Sequence, residues 1–151
     1  MTTFTRGLTS SDAGAAAALH VLCFDDPWSE AAFAAHLGAS DAASLGWFED
    51  AKLVAFALFQ NVAGEADLLT VATDPARRSE GLARHLLTAL ITSLLAAGIQ
   101  RFTLDVAEDN HAARHLYTTL GFTEDGRRPR YYTAGRAVPV DGVLMSRLPD
   151  A

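Results

Sequence analysis

From residue 82 to 97 the chain places leucine at every fourth position, Leu82, Leu86, Leu90 and Leu94, and then meets Gly98. That spacing puts the four side chains on one helical face, and the glycine supplies the residue that closes such a helix. An apolar stripe of this kind needs a layer to cover it. The neighbouring segments provide that layer. Residues 66–73 read as a strand, and residues 100–106 alternate Phe102, Leu104 and Val106 against Thr103 and Asp105, the pattern of a half-buried strand. Helix on sheet is therefore the frame into which the rest must fit.

Upstream, residues 44–48 and 53–60 are two β-prone runs joined at Glu49-Asp50-Ala51-Lys52, so with residues 66–73 they predict three consecutive antiparallel strands. Thr9-Ser10-Ser11-Asp12 offers N-cap oxygens to a first helix reaching about residue 24, with Leu19, Leu22 and Cys23 turned inward. Residues 29–37 predict a second short helix capped by Ser29. Downstream, residues 110–120 form a helix closed by Gly121, and Phe122, Tyr131-Tyr132 and Val143-Leu144-Met145 supply two closing strands around a loop holding Arg127, Arg128 and Arg130. No repeat or linker interrupts the alternation, so the expectation is a single α/β (α+β) domain over residues 1–151. Its mixed, mostly antiparallel sheet should have about six to seven strands and helices on both faces.

Charge narrows the partners. Twelve Lys and Arg against eighteen Asp and Glu give −6, which disfavours nucleic acid and suits a cationic or amine-bearing partner. Against that balance, arginines gather at Arg77, Arg78 and Arg84, suggesting a local anion site. No apolar run approaches the roughly 20 residues of a bilayer span, and Asp12, His20 and Asp25-Asp26-Pro27 spoil the apolar stretch 14–24 as an export signal. A cytoplasmic protein without a membrane partner is expected. One cysteine, Cys23, excludes an internal disulfide and reads as a small core residue. His111 and His115 stand at i,i+4, but no glutamate follows His111 as a zinc-protease helix needs, so no metal is expected.

The most informative stretch is Arg78-Ser79-Glu80-Gly81-Leu82-Ala83, between a strand and the leucine helix. Missing or small side chains at Gly81 and Ala83 let backbone amides approach an anion, and the helix adds its positive end. A phosphate cradle and an ordinary tight turn both satisfy these residues.

The spacing Arg-x-x-Gly-x-Ala resembles the acetyl-CoA signature of the GNAT superfamily of N-acetyltransferases. Two further segments carry the resemblance. Leu69-Thr70-Val71-Ala72-Thr73-Asp74-Pro75 is similar to the superfamily's acetyl-binding strand, and residues 110–122, Asn-His-Ala-Ala-Arg-His-Leu-Tyr-Thr-Thr-Leu-Gly-Phe, are similar to its Asn-x-x-Ala-x-x-Leu-Tyr-x-x-Leu-Gly-Phe helix. Within that superfamily Pro27-Trp28-Ser29-Glu30, Glu65-Ala66-Asp67-Leu68, Leu104-Asp105-Val106 and Tyr131-Tyr132 resemble the bacterial ribosomal-protein alanine N-acetyltransferase (RimI-like) branch. Two departures fall on the acceptor side: Val140-Asp141-Gly142 stands where the branch has Glu-Asp-Ala, and Asp105 where it has glutamate.

The resemblance implies the GNAT fold, acetyl-CoA as co-substrate and an amine acceptor. It implies coenzyme binding by Val71, Ala72, Thr73, Arg78, Ser79, Glu80, Gly81, Leu82, Ala83, Arg84, Asn110 and Tyr117. Tyr117 would serve the departing thiolate as proton donor, and Asp105 would act as base. Trp28, Glu65, Asp67, Tyr131 and Tyr132 are candidate acceptor-binding residues, one of the tyrosine pair pointing inward. Cys23 lies far along the chain from these motifs, so direct attack in a ternary complex is expected, without an acetyl-enzyme.

Energetics favour an N-terminal acceptor. An α-amine of pKa about 7.8 costs only about 1 kcal/mol to deprotonate at pH 7, whereas a lysine at about 10.4 costs about 4.6 kcal/mol. A short carboxylate such as Asp105 is matched to the first. The expected reaction is acetylation of the N-terminal amine of a protein, the alanine of a small-subunit ribosomal protein. A small-molecule acetyltransferase acting on a polyamine, aminoglycoside or amino acid, and a non-catalytic acetyl-CoA sensor, are the alternatives.

Overall fold

In the computed structural model, which describes residues 2–150, the leucine stripe is covered as its spacing demands. Helix α3 (Leu82–Ala96) buries Leu82, Leu86, Leu87, Leu90, Ile91 and Leu94, each no more than 7% exposed. They lie on a seven-stranded sheet of order β1-β2-β3-β4-β5-β7-β6, made of β1 (Thr3–Arg6), β2 (Ala42–Glu49), β3 (Lys52–Val62), β4 (Glu65–Thr73), β5 (Arg101–Ala107), β6 (Thr123–Tyr132) and β7 (Val140–Arg147). Every neighbouring pair is antiparallel except β4 and β5. Helices α3 and α4 (His111–Thr119) cover one face, while α1 (Ala13–Cys23) and α2 (Glu30–Leu37) cover the other. Strand β3 is buried on both faces from Leu53 to Phe59 and separates the two cores, which explains why its sequence is apolar without alternation.

Two irregularities in β4 open the sheet near its centre. Leu58 pairs with Thr70 but Phe59 pairs with Leu68, so Leu69 is an extra residue, a β-bulge. Ahead of it Ala66 and Leu68 face α3; beyond it Thr70 and Ala72 face α1, and Val71 takes the α3 side. The bulge therefore reverses the phase of the strand in mid-course. The second irregularity is that β4 pairs with β5 only at residues 65–67 against 101–103. Beyond those pairs the strands diverge, and residues 68–73 face 104–107 across an open wedge with backbone groups unpaired toward each other.

Four sequence expectations change. Strand β1 is additional to the strands the sequence predicts, because all of its residues are exposed and Phe4 is its only large apolar side chain. Residues 10–12 form a 3₁₀ turn ahead of α1 instead of its first turn; Asp12 is held there by paired bonds of 2.9 Å from Arg6 and by the Thr9 amide at 2.8 Å. Leu22 does not point inward but is 61% exposed, since the buried face of α1 runs through Ala13, Ala16, Leu19 and His20. Arg127, Arg128 and Arg130 lie inside β6 and not in a loop. That strand is the sheet's edge and is mostly exposed, so little apolar patterning marks it; Pro129 and the left-handed Arg130 (φ +53°) sit in a bulge between Arg128 and Tyr132.

Candidate active site

One end of the wedge opens onto the loop between β4 and α3. Asp74 accepts a 3.0 Å bond from the Ala76 amide, starting a 3₁₀ turn over Pro75–Arg77. Ser79 (φ +68°) and Gly81 (φ +81°) are both left-handed, and Gly81 is the N-cap of α3. A residue with no side-chain oxygen leaves the first amides of α3 uncapped. A Cβ at position 81 would meet nothing within 4 Å, so glycine serves the backbone angle and leaves open space above the amides. These features fit a bound diphosphate.

Side chains around this loop divide by role. Arg77 is bonded to Glu49 and, at 2.8 Å and 3.0 Å, to Glu80, so Glu80 is occupied with fixing the loop. Arg78 and Ser79 are exposed, and Arg84 donates to Thr119 Oγ1, linking α3 to α4. Leu82 and Ala72 send their side chains into the two cores, which leaves only their backbones for a ligand. Asn110 caps α4 by accepting from the Ala113 amide at 3.2 Å. Ala83, Val71 and Thr73 are partly buried along the same path.

Tyr117, on α4, is 5% exposed in the core between the sheet and helices α3 and α4, edge-on to Phe122 at 6.1 Å. Burial raises its phenol well above the usual tyrosine range, and the charge Tyr132 would carry adds to the rise, so it holds its proton at any working pH. Tyr132 is the half-buried member of its pair, pushed up to about 12 by burial and then by Asp105; Tyr131 is 51% exposed and stands edge-on to it.

On the face toward α1, period-two alternation brings Asp67, Thr103 and Asp105 together. Thr103 Oγ1 donates to Asp67 Oδ1 at 2.7 Å, and Arg128 Nε lies 3.6 Å from Asp105 Oδ2. Asp105 is raised from the ordinary aspartate value, by burial first and by the negative charge of Asp67, against the opposing pull of Arg128. A raised carboxylate is the better proton acceptor.

Other predicted residues are less central. Glu65 pairs with Arg101 at 3.1 Å at the closed end of the wedge, about 20 Å of strand from Val71, and the fold does not bring it to the others. Trp28 turns its ring to Phe33 at 5.1 Å and His36 at 4.9 Å, on the rim of the α1–α2 core. Cys23, distant in sequence, donates from Sγ to the Thr73 carbonyl at 3.2 Å and so stands beside the coenzyme-motif strand.

Three participants escape sequence reasoning. His20 is one, in a run of alanines that signals only a helix. Arg128 is another, because its surroundings in the sequence read as a loop. The 133–139 connection is the third: Arg136 is bonded to Asp109 at 2.9 Å and 2.8 Å, and Gly135 approaches Asp25 so closely that a Cβ would come within 2.1 Å of its Oδ2. The segments after α1 and after β6 thus meet.

A wedge between β4 and β5, a glycine-capped helix at its mouth and a buried phenol on α4 agree with what family comparison finds: the acetyltransferase (GNAT) family matches residues 15–122. The chain belongs to the GNAT acetyltransferase family. It is an acetyl-CoA-dependent enzyme, and the uncapped amides and unpaired strand edge fit that co-substrate. Among curated relatives it is 38% identical over 122 residues to the ribosomal protein bS18-alanine N-acetyltransferase of Escherichia coli strain K12, covering 80% of each chain. It is 36% identical over 120 residues to the enzyme so named in Haemophilus ducreyi, covering 80% of this chain and 82% of that one. The crystal structure of the ribosomal-protein-S18-alanine N-acetyltransferase from Escherichia coli superposes with a TM-score of 0.92 at 31% identity, over 99% of this chain and 96% of that one. The GNAT resemblance of the three motifs is thereby confirmed.

Proposed function

We propose that this GNAT enzyme acetylates the N-terminal α-amine of a protein, the alanine of ribosomal protein S18, by direct attack in a ternary complex. The observation that carries the reading is the grouping of Asp105, Asp67 and Tyr132 on the open face beside the unpaired edge of β4. Relatives bearing the bS18-alanine name over four fifths of the chain support the choice of acceptor.

Acetyl-CoA supplies an acetyl group activated as a thioester. Loop amides from Ser79 to Arg84 hold its diphosphate, and Arg78 and Arg84 add charge. The amides of Val71 and Thr73 face the thioester oxygen and the pantetheine, with Ala72 and Asn110 completing that path. An N-terminal ammonium enters along the open face, where Asp67 and Asp105 attract it and Trp28, Tyr131 and Tyr132 line the approach. Asp105, one methylene shorter than glutamate, takes the amine proton through a water. As the new C–N bond forms and the C–S bond breaks, the second proton on the nitrogen passes through the same water to solvent, and Tyr117 gives its phenolic proton to the departing sulfur, so that the coenzyme leaves as the thiol and the phenol is reprotonated from solvent.

Cys23 does not form a covalent intermediate. Distance is not the reason, since its sulfur is beside Thr73; the reason is that its proton is directed at a carbonyl, with no base or cation bonded to it among the described residues. Such an enzyme works in the cytoplasm, where ribosomal proteins are made.

The test is mass spectrometry of ribosomal proteins after incubation with enzyme and isotope-labelled acetyl-CoA. Label on the terminal alanine of S18 is expected. Label on a polyamine or aminoglycoside in a parallel panel, with S18 untouched, supports the small-molecule alternative, and coenzyme binding with no transfer to any amine supports the sensor.

A further inference from the structure

His20 is 2% exposed near the end of α1, and both of its nitrogens are engaged. Nδ1 is 2.9 Å from the backbone nitrogen of Trp28, and Nε2 is 2.9 Å from Thr70 Oγ1. A backbone amide only donates, so Nδ1 is an acceptor and the proton resides on Nε2, which donates to the threonine. The ring is neutral in this arrangement, and the faces turned to it are uncharged. Phe24 follows it in sequence, Phe33 comes from α2, Phe56 from β3 and Trp28 from the connecting segment, with centroids 4.2–6.5 Å away. Of the titratable groups around it, Cys23 is on the same helix, His36 packs on the Trp28 ring, and Asp25 and Asp26 follow in the chain as exposed residues.

Each end of this bridge has a consequence. Residues 25–28 lie between two helices without regular structure, and Pro27 has no amide to donate. Among the described residues, the backbone of 25–28 makes one hydrogen bond, that from Trp28 to His20. At the other end, Thr70 faces α1 only because the Leu69 bulge reverses the strand. Without the bulge it would point toward α3, and Val71 beside it would lose its place in the wedge.

We propose that His20 is a positioning residue, holding the 24–29 segment that carries Trp28 at a fixed height over the bulged strand β4, whose Val71 and Thr73 amides face the thioester. This rests on the acceptor reading above. His20 touches neither reactant; it sets the register between the element that carries Trp28 and the strand that carries Val71.

The experiment compares wild-type enzyme with His20→Phe, which keeps the bulk and loses both bonds, His20→Asn, which returns an acceptor oxygen near Nδ1, and Thr70→Val. The probe is an alanine-starting peptide with acetyl-CoA. In His20→Phe the peptide KM should rise about five- to tenfold, the scale of one lost net hydrogen bond or slightly more, while kcat and acetyl-CoA affinity stay within about twofold. His20→Asn should recover most of the KM, and Thr70→Val should lie between. A folded His20→Phe enzyme with unchanged peptide KM overturns the proposal, as does an equal loss of coenzyme affinity.

Nitrogen-15 NMR of the wild-type ring decides the tether even where a variant fails to fold. An Nε2-protonated neutral imidazole and a slowly exchanging Trp28 amide are expected, and an Nδ1-protonated ring or a freely exchanging amide overturns it. Absence of transfer to the peptide by wild-type enzyme defeats the acceptor reading and the positioning role with it, while the NMR result still reports separately on the tether.

Discussion

Arg128 Nε stands 3.6 Å from Asp105 Oδ2, so the candidate base carries its own counter-charge across the β5–β7–β6 edge. The guanidinium also lies 5.0 Å over the Tyr131 ring, which fixes its direction. Burial and Asp67 raise Asp105 while Arg128 lowers it. Replacing Arg128 with Gln should therefore move the acidic limb of the kcat–pH profile to higher pH, because the base then binds its proton more tightly. Asp105→Asn should abolish that limb and lower kcat by about 10²-fold, the ordinary scale of general-base catalysis. Stopped-assay rates from pH 5 to 9 check both.

Tyr117→Phe should fold, since the phenol lies in an apolar site beside Phe122 and the change removes a single oxygen. Turnover should drop about ten- to a hundredfold while acetyl-CoA affinity measured by calorimetry changes little. Unchanged turnover removes Tyr117 from the reaction.

Gly81→Val puts a β-branched residue at φ +81° and fills the open space over the α3 amides. The backbone strain costs about 1–3 kcal/mol. Coenzyme affinity should fall more than tenfold, roughly the loss of 1.4 kcal/mol or more. Calorimetry on folded variant protein measures it, and wild-type affinity would remove the loop from diphosphate binding.

His20 has its pKa lowered from 6.5 to about 4 by burial. The unfolded chain takes up the proton first as pH falls, so the neutral ring contributes stability that is complete above pH 6.5 and is lost between 6.5 and 4. The ceiling for such a group is about 3 kcal/mol. Denaturant melts of wild type and His20→Asn should converge as pH falls through that window. The Arg-paired carboxylates Asp12, Glu49 and Asp109 titrate in both proteins and cancel in the difference.

The elements legible in the sequence are those whose periodicity answers to a single buried face. The Leu82–Leu94 stripe and the alternation of Phe102, Leu104 and Val106 locate α3 and β5, and the motif residues name the family. Edge strands β1 and β6 are hard to read because they bury little and carry arginines. At the site, Asp105 and Tyr117 stand out by motif, whereas Arg128 and His20 do not, since their roles come from non-local pairs: Arg128 meets Asp105 through β7, and His20 meets Thr70 only through a bulge of one residue.

The reaction proposed for this enzyme is acetyl transfer from acetyl-CoA to an N-terminal alanine. A single peptide carrying both a free alanine α-amine and an internal lysine, incubated with the enzyme and labelled acetyl-CoA and then sequenced by tandem mass spectrometry, tests it most directly. Label should appear on the α-amine with the lysine unmodified; label on the lysine ε-amine, or on neither, would rule out N-terminal transfer.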